Sequence, residues 1–135
     1  MIMLDHVLLT VSDLRRSTAF YQAALAPLGV ADRLDYDGRD GPPGHPDLKG
    51  LGAGGRMFLW LRAGEAEGRA VHVGFVARSR EEVEAAYDAA LAAGAVSDCA
   101  PGPRVHYDPR YYAANVLDPD GHSLEFVFKS WQHAR

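Results

Sequence analysis

Two short apolar runs, His6 to Val11 and Val71 to Ala77, each give way within a few residues to a stretch in which apolar positions recur every three or four residues. The first pattern predicts a buried strand and the second an amphipathic helix, so the order strand then helix occurs twice. In the second occurrence Ser79-Arg80-Glu81-Glu82 has capping-box spacing. Val83, Ala86, Tyr87, Ala90 and Leu91 supply the buried stripe, and Gly94 ends the turn. In the first, Ser12 or Asp13 is placed to cap, Leu14, Tyr21, Leu25 and Leu28 form the stripe, and Gly29 follows it. β-Type runs after each helix, clearest at Met57 to Leu61, Tyr111 to Leu117 and Ser123 to Phe128, extend each half to βαβββ.

The halves are also related residue by residue. Sliding the sequence so that His6 falls on His72 superposes Val7 on Val73, Ala19 on Ala85, Tyr21 on Tyr87, and the run Ala23-Ala24-Leu25-Ala26 on Ala89-Ala90-Leu91-Ala92. A duplicated chain implies two tandem βαβββ modules, 1–66 and 67–135, in one α+β domain. Segment 37–55 carries seven glycines and three prolines and is expected to be a mobile loop with a short strand inside. It would serve either as a pocket rim or as an ordinary surface connection.

Composition narrows the classes of partner. The chain is 47% hydrophobic and 24% charged, ordinary for a globular domain with one core. Its net charge is −4 and its 14 Lys and Arg are dispersed singly, which argues against a nucleic-acid partner. The one cysteine, Cys99, has no internal disulfide partner, which suits a reducing compartment, and it reads as a small buried hydrophobe. The N-terminal residues lack the features of a secretory leader and no apolar run approaches a membrane span, so the expectation is a cytoplasmic protein with no membrane partner.

The candidate chemistry follows from the duplication. His6 and His72 open equivalent strands, and a pseudo-two-fold relation between the modules would bring them towards a common centre. Glu125 lies in the last predicted strand, where alternation puts Ser123, Glu125 and Val127 on one face and Leu124, Phe126 and Phe128 on the other. A carboxylate in such company needs a hydrogen-bonding, ionic or metal partner. Two imidazoles and one carboxylate can hold one divalent ion, Fe, Zn, Ni or Mn, with positions left open for substrate or water. Taken singly, each residue has a plainer reading, a hydrogen-bonded strand-start histidine or a glutamate paired with an arginine.

These residues sit in motifs that resemble the vicinal oxygen chelate superfamily, which includes glyoxalase I, extradiol dioxygenases, and the fosfomycin and bleomycin resistance proteins. The motifs are Asp5-His6-Val7 with Val11-Ser12-Asp13-Leu14 and Phe20-Tyr21, then Val71-His72-Val73-Gly74-Phe75, then Asp118-Pro119-Asp120-Gly121-His122-Ser123-Leu124-Glu125. The resemblance implies sheets that curl around a metal-lined cleft with the helices outside, and a homodimer. It also implies that His6, His72 and Glu125 match three ligand positions. The fourth position of glyoxalase I falls at Leu59, or at Trp60 after a one-residue slip, and neither side chain binds such a cation. A small-molecule substrate with vicinal oxygens is implied, acted on by a lyase, isomerase or dioxygenase. The alternative is a metal-free sequestering protein of the bleomycin-resistance kind.

Substrate contact is expected from Trp60 and from the stretch Pro103-Arg104-Val105-His106-Tyr107-Asp108-Pro109-Arg110-Tyr111-Tyr112, which resembles small glyoxalase-like proteins. Here Arg104, Tyr107 and Tyr111 would bind substrate, and His106 and Tyr112 would carry catalytic roles. The plainer reading is that Tyr111 and Tyr112 alternate across a strand, one packing in the core and the other on a surface, with His106 merely ending a turn. His45, His122 and His133 read as ordinary polar residues of loop, turn and tail.

Overall fold

The computed structural model describes residues 3–133. Module one runs β1 (Val7–Val11), α1 (Leu14–Leu25), β2 (Asp32–Tyr36), β3 (Leu48–Ala53) and β4 (Arg56–Ala63). Module two runs β5 (His72–Val76), α2 (Arg80–Ala92), β6 (Val96–Pro103), β7 (Tyr111–Leu117) and β8 (Ser123–Lys129), with a closing helical turn α3 (Ser130–His133). The sheets have matching orders, β1-β4-β3-β2 and β5-β8-β7-β6. In each the first strand lies parallel to the last and the other pairs are antiparallel, so βαβββ occurs twice.

Local chemistry sets the helix boundaries. Asp13, and not Ser12, caps α1 by accepting a hydrogen bond from the Arg16 amide. After a short 3₁₀ extension, Gly29 closes the element in the left-handed conformation at φ 86°. On α2 the Ser79 hydroxyl accepts from the Glu82 amide, while the Glu82 carboxylate reaches back to the Arg78 amide, one residue beyond the usual box.

Both helices lie on the same side of the strand alternation and share one hydrophobic cluster. Tyr21, Leu25, Leu59 and Leu61 from module one and Val83, Ala86, Leu124 and Phe126 from module two are all buried in it. The opposite sheet faces stay open. On β1, Leu9 and Val11 are buried while Leu8 is 48% exposed; on β8, Leu124 and Phe126 are fully buried while Ser123 and Glu125 keep some exposure. The helices are thus outside the faces that carry the predicted site. Among the described residues no helix is long and apolar enough to cross a membrane.

The short strand expected inside segment 37–55 is β3, hydrogen-bonded on both sides after a 3₁₀ turn at Gly38–Asp40, while two other sequence expectations change. Gly50 of β3 reflects packing and not loop character, because a Cβ there would lie 2.6 Å from the ring of Trp60. Cys99 is exposed on the outer strand β6 instead of buried, since this edge strand, with Pro101 and Pro103, has register shifts on either side of Cys99. His122 is not an ordinary turn residue. It is 1% exposed, and its Nδ1 lies 2.7 Å from Asp118.

Candidate functional site

Glu125 is the best-supported polar group on the open face of module two. Its side chain is 12% exposed, and each carboxylate oxygen has a partner. The Tyr111 hydroxyl donates to Oε2, and His72 Nε2 stands 3.3 Å from Oε1. The other imidazole nitrogen of His72, Nδ1, is 2.9 Å from the Ser123 hydroxyl. The Ser123 hydroxyl can donate to or accept from Nδ1; a metal ion bound at Nε2 would require the tautomer with Nδ1 protonated towards Ser123. Burial, helped by the bond to Glu125, pushes the Tyr111 phenol above its ordinary range, so it remains a donor.

The loop between β6 and β7 folds over Tyr111. The His106 ring lies 4.2 Å from Tyr107, and Tyr107 lies 5.1 Å from Tyr111, a chain of aromatic contacts ending at the carboxylate's donor. The loop is anchored by a two-pronged Arg110–Asp108 pair, which lowers the Asp108 carboxyl to about 2, and by the Arg110 guanidinium 4.4 Å from the Trp131 ring. Arg104 is held by the carbonyls of Gly102 and Ala100 and reaches Asn115 at 3.4 Å. Asn115 is the cross-strand neighbour of Glu125, which places this cation beside the site. Of the expected substrate-contact residues, Tyr111 touches Glu125, Tyr107 reaches it through Tyr111, Arg104 through Asn115, and His106 contacts Tyr107.

Tyr112 does not reach Glu125. It pairs with Phe128, on the opposite parity from Glu125, and its ring lies under the Arg80 guanidinium of α2 at 4.9 Å. The structure places it on the helix side of the sheet, packed against the core and away from Glu125. One-residue alternation along β7 decides this.

His6 stands apart from the His72–Glu125 pair. It precedes β1, is exposed, and its Nδ1 is 2.6 Å from its neighbour Asp5. Among the described residues of one chain, no three His, Cys, Asp or Glu side chains converge on a point that could hold a metal ion. His6 instead borders a groove of about 380 Å³ with Phe58, Gly74 and Val76, between the free edges of β1 and β5. Trp60 lies in β4 on the open face of module one, opposite Gly50 on β3. Sequence reasoning missed Ser123 as the partner of His72 and Asn115 as the link to Arg104. Pairing the strands on either side of Asp118-Pro119-Asp120-Gly121 as a hairpin would have placed Asn115 beside Glu125.

A family model described as the Glyoxalase/Bleomycin resistance protein/Dioxygenase superfamily matches residues 3–126. None of the curated proteins matches the sequence. Among solved structures, a glyoxalase/bleomycin resistance protein from Albidiferax ferrireducens T118 is 25% identical with a TM-score of 0.73, the alignment covering 93% of this chain and 98% of that one. A glyoxalase/bleomycin resistance protein/dioxygenase family enzyme from Burkholderia phytofirmans PsJN is 21% identical with a TM-score of 0.66, covering 93% and 98%. The fosfomycin resistance protein FosX from Listeria monocytogenes is 22% identical with a TM-score of 0.65, covering 94% and 93%. The last two likenesses are of fold.

Proposed function

Because this chain belongs to the glyoxalase/bleomycin resistance protein/dioxygenase superfamily, we propose that it is a metal-dependent enzyme acting on a small substrate with vicinal oxygens. In this reading His72 and Glu125 of one protomer and His6 of a second protomer hold one divalent ion. The observation that carries it is the His72–Glu125 pair, 3.3 Å apart, with Ser123 fixing one imidazole nitrogen and Tyr111 fixing one carboxylate oxygen. A neutral imidazole and a carboxylate so supported fit a borderline divalent cation such as Fe, Zn, Ni or Mn.

The second protomer enters because one chain brings together only part of the ligand set. The faces carrying the rest are open and partly apolar: Leu8 is 48%, Leu34 53% and Val76 54% exposed, and among the described residues β1 and β5 each have an unpaired edge. Such surfaces are suited to a homodimer contact that would set His6 against the partner's His72 and Glu125.

When bound, the ion would supply Lewis-acid polarisation of a substrate oxygen. The chain's own residues do the rest. Arg104, a fixed cation beside Asn115, favours an anionic or enolate-like oxygen. Tyr111 holds Glu125 in place, and the exposed Tyr107 and His106 rings stack outward from it, where His106 would be the group that carries a proton to or from a bound substrate. The single free cysteine, Cys99, suits a reducing compartment such as the cytoplasm.

The decisive experiment is complementation between site variants. Wild-type protein reconstituted with Zn(II), Ni(II), Mn(II) or anaerobic Fe(II) is expected to retain one ion per chain, and His6→Ala, His72→Ala and Glu125→Ala to lose it. Co-refolding His6→Ala with His72→Ala restores one intact site in each hybrid pair, because the two lesions then fall in one site and spare the other. Recovery of metal only in the hybrid supports the shared site. Wild type without stoichiometric metal would leave the sequestering alternative, and a hybrid without recovery would place all ligands in one chain.

A further inference from the structure

The duplication pairs each place in module one with a counterpart in module two. The offset that sets His6 on His72 also sets Arg15, Thr18 and Gln22 of α1 on Glu81, Glu84 and Asp88 of α2. On the sheets, Val7 pairs with Leu59 as Val73 pairs with Leu124. Carried across the strands, those registers make Trp60 the counterpart of Glu125, Lys49 of Ala114 and Arg33 of Ser97. Arg15, Arg33 and Lys49 therefore stand where module two has no cation, and the exposed side of α2 carries three carboxylates instead.

These three cations rim a groove of about 520 Å³ between α1 and the helix side of β2 and β3. Two of them are held in place. The Arg33 guanidinium donates through Nε and Nη2 to the two oxygens of Asp35, at 2.9 and 3.2 Å, and its Nη1 reaches Gln22 at 3.3 Å. Lys49 Nζ lies 3.1 Å from the same carboxylate. The bonds from Arg33, then from Lys49, hold the Asp35 carboxyl below its ordinary value, so it stays charged. Asp35 thus offsets one of the three charges and leaves two. Arg15 has no hydrogen-bonding or ionic partner among the described residues, and its planar fork is free. The Thr18 hydroxyl commits its proton to the Leu14 carbonyl, so Leu14, Thr18 and Ala19 give the groove an apolar wall.

We infer that this groove binds the phosphate group of a small organic phosphate, on the side of the sheet opposite Trp60 and independently of any metal. Two uncompensated positive charges match a phosphate monoester, which carries close to two negative charges at neutral pH. The free Arg15 fork suits two of its oxygens at once, and Lys49 adds a compact point charge. The apolar wall takes the organic body. The scaffold does not demand these charges, since module two keeps the same helix-on-sheet packing with the opposite sign.

The test is a proton–nitrogen NMR titration of the full metal-free chain at low salt. Its probes are phenyl phosphate, phenyl sulfate, which is a monoanion on the same body, and inorganic phosphate. Phenyl phosphate is expected to shift amides of α1, β2 and β3 saturably, with a Kd of about 1 mM or below. Phenyl sulfate should bind about fivefold more weakly, and inorganic phosphate about threefold more weakly because it leaves the apolar wall uncovered. Arg15→Gln and Lys49→Gln should each weaken phenyl phosphate about tenfold, their own spectra showing that the fold is intact. Glu81→Gln, at the place in module two equivalent to Arg15, should leave the affinity within about twofold of wild type. Shifts confined to Tyr111, Asn115 and Glu125 would put the anion on the open face and overturn the inference. So would equal affinity for the two phenyl esters, inorganic phosphate binding as tightly as phenyl phosphate, or no loss in either groove variant.

Discussion

Tyr21 on α1 donates its buried hydroxyl to Asp118 at the head of the β7–β8 turn, so a buried hydrogen bond joins the helix of the first module to the hairpin that carries Glu125. Asp118 is saturated at that point. It also accepts from the amides of Asp120 and His122 and bonds the His122 ring at 2.7 Å. Burial, reinforced by the neighbouring carboxylate, raises the Tyr21 phenol far above its ordinary value, so it donates at every pH the fold survives. A second contact runs parallel to it, from the amide and hydroxyl of Ser12 to the Asp120 carboxylate.

Tyr21→Phe keeps the ring in the core and deletes only the donor. Stability should fall by about 1–2 kcal/mol, the cost of leaving a buried acceptor short of one partner. Urea denaturation of the two proteins measures this, and a midpoint unchanged from wild type would show that water or His122 fully replaces the phenol.

The Asp120 contact should weaken with acid. Burial of its side chain, 6% exposed, opposes the charge, but the Ser12 bonds and nearby Arg16 outweigh it and hold the carboxyl below its ordinary value. A group with a lowered folded pKa stabilises the fold fully above its unfolded pKa, about 4, and loses that contribution as pH falls through the folded value. Asp120→Asn should therefore be less stable than wild type at pH 7 by about 1–2 kcal/mol, with the gap narrowing below about pH 4. Thermal melts across this range would contradict the account if the gap stayed constant.

Tyr111→Phe removes the outer support of Glu125 without touching His72. Under the proposed function, Zn(II) affinity should drop by about tenfold, at the low end for loss of a hydrogen bond to a ligating carboxylate. Competition against a chromogenic chelator reads this directly. Tighter binding in the variant would mean that the phenol competes with the ion for Oε2.

Ser79→Ala deletes the hydroxyl that caps α2. A loss of about 1 kcal/mol in unfolding free energy is expected. Because the cap lies on the helix side of the sheet, metal stoichiometry should be unaffected, and a parallel loss of metal would show that α2 and the site are coupled.

The duplication, the element order and both helix termini were readable because they depend on residues within a few positions of one another. Strand pairing was less so. The bounds of β3 were masked by its glycines, Gly50 set against the ring of Trp60 and Gly52 against the backbone of Arg56, and β6 by prolines that an edge strand accommodates. On β7 the sequence offered Tyr111 and Tyr112 as equals, and the register alone separates the donor to Glu125 from the residue under Arg80.

By itself the sequence determined that this is a twofold βαβββ chain of the superfamily, with two histidines and a glutamate in matching motif positions, since local periodicity, capping and motif spacing are properties of contiguous residues. The tertiary structure decided that His72 meets Glu125 while His6 does not join them in the same chain, and that Trp60 holds the carboxylate's counterpart position. Those outcomes depend on how strands far apart in the chain align and which faces the helices cover. Such alignment is set by packing across the whole domain, and no window of the sequence contains it.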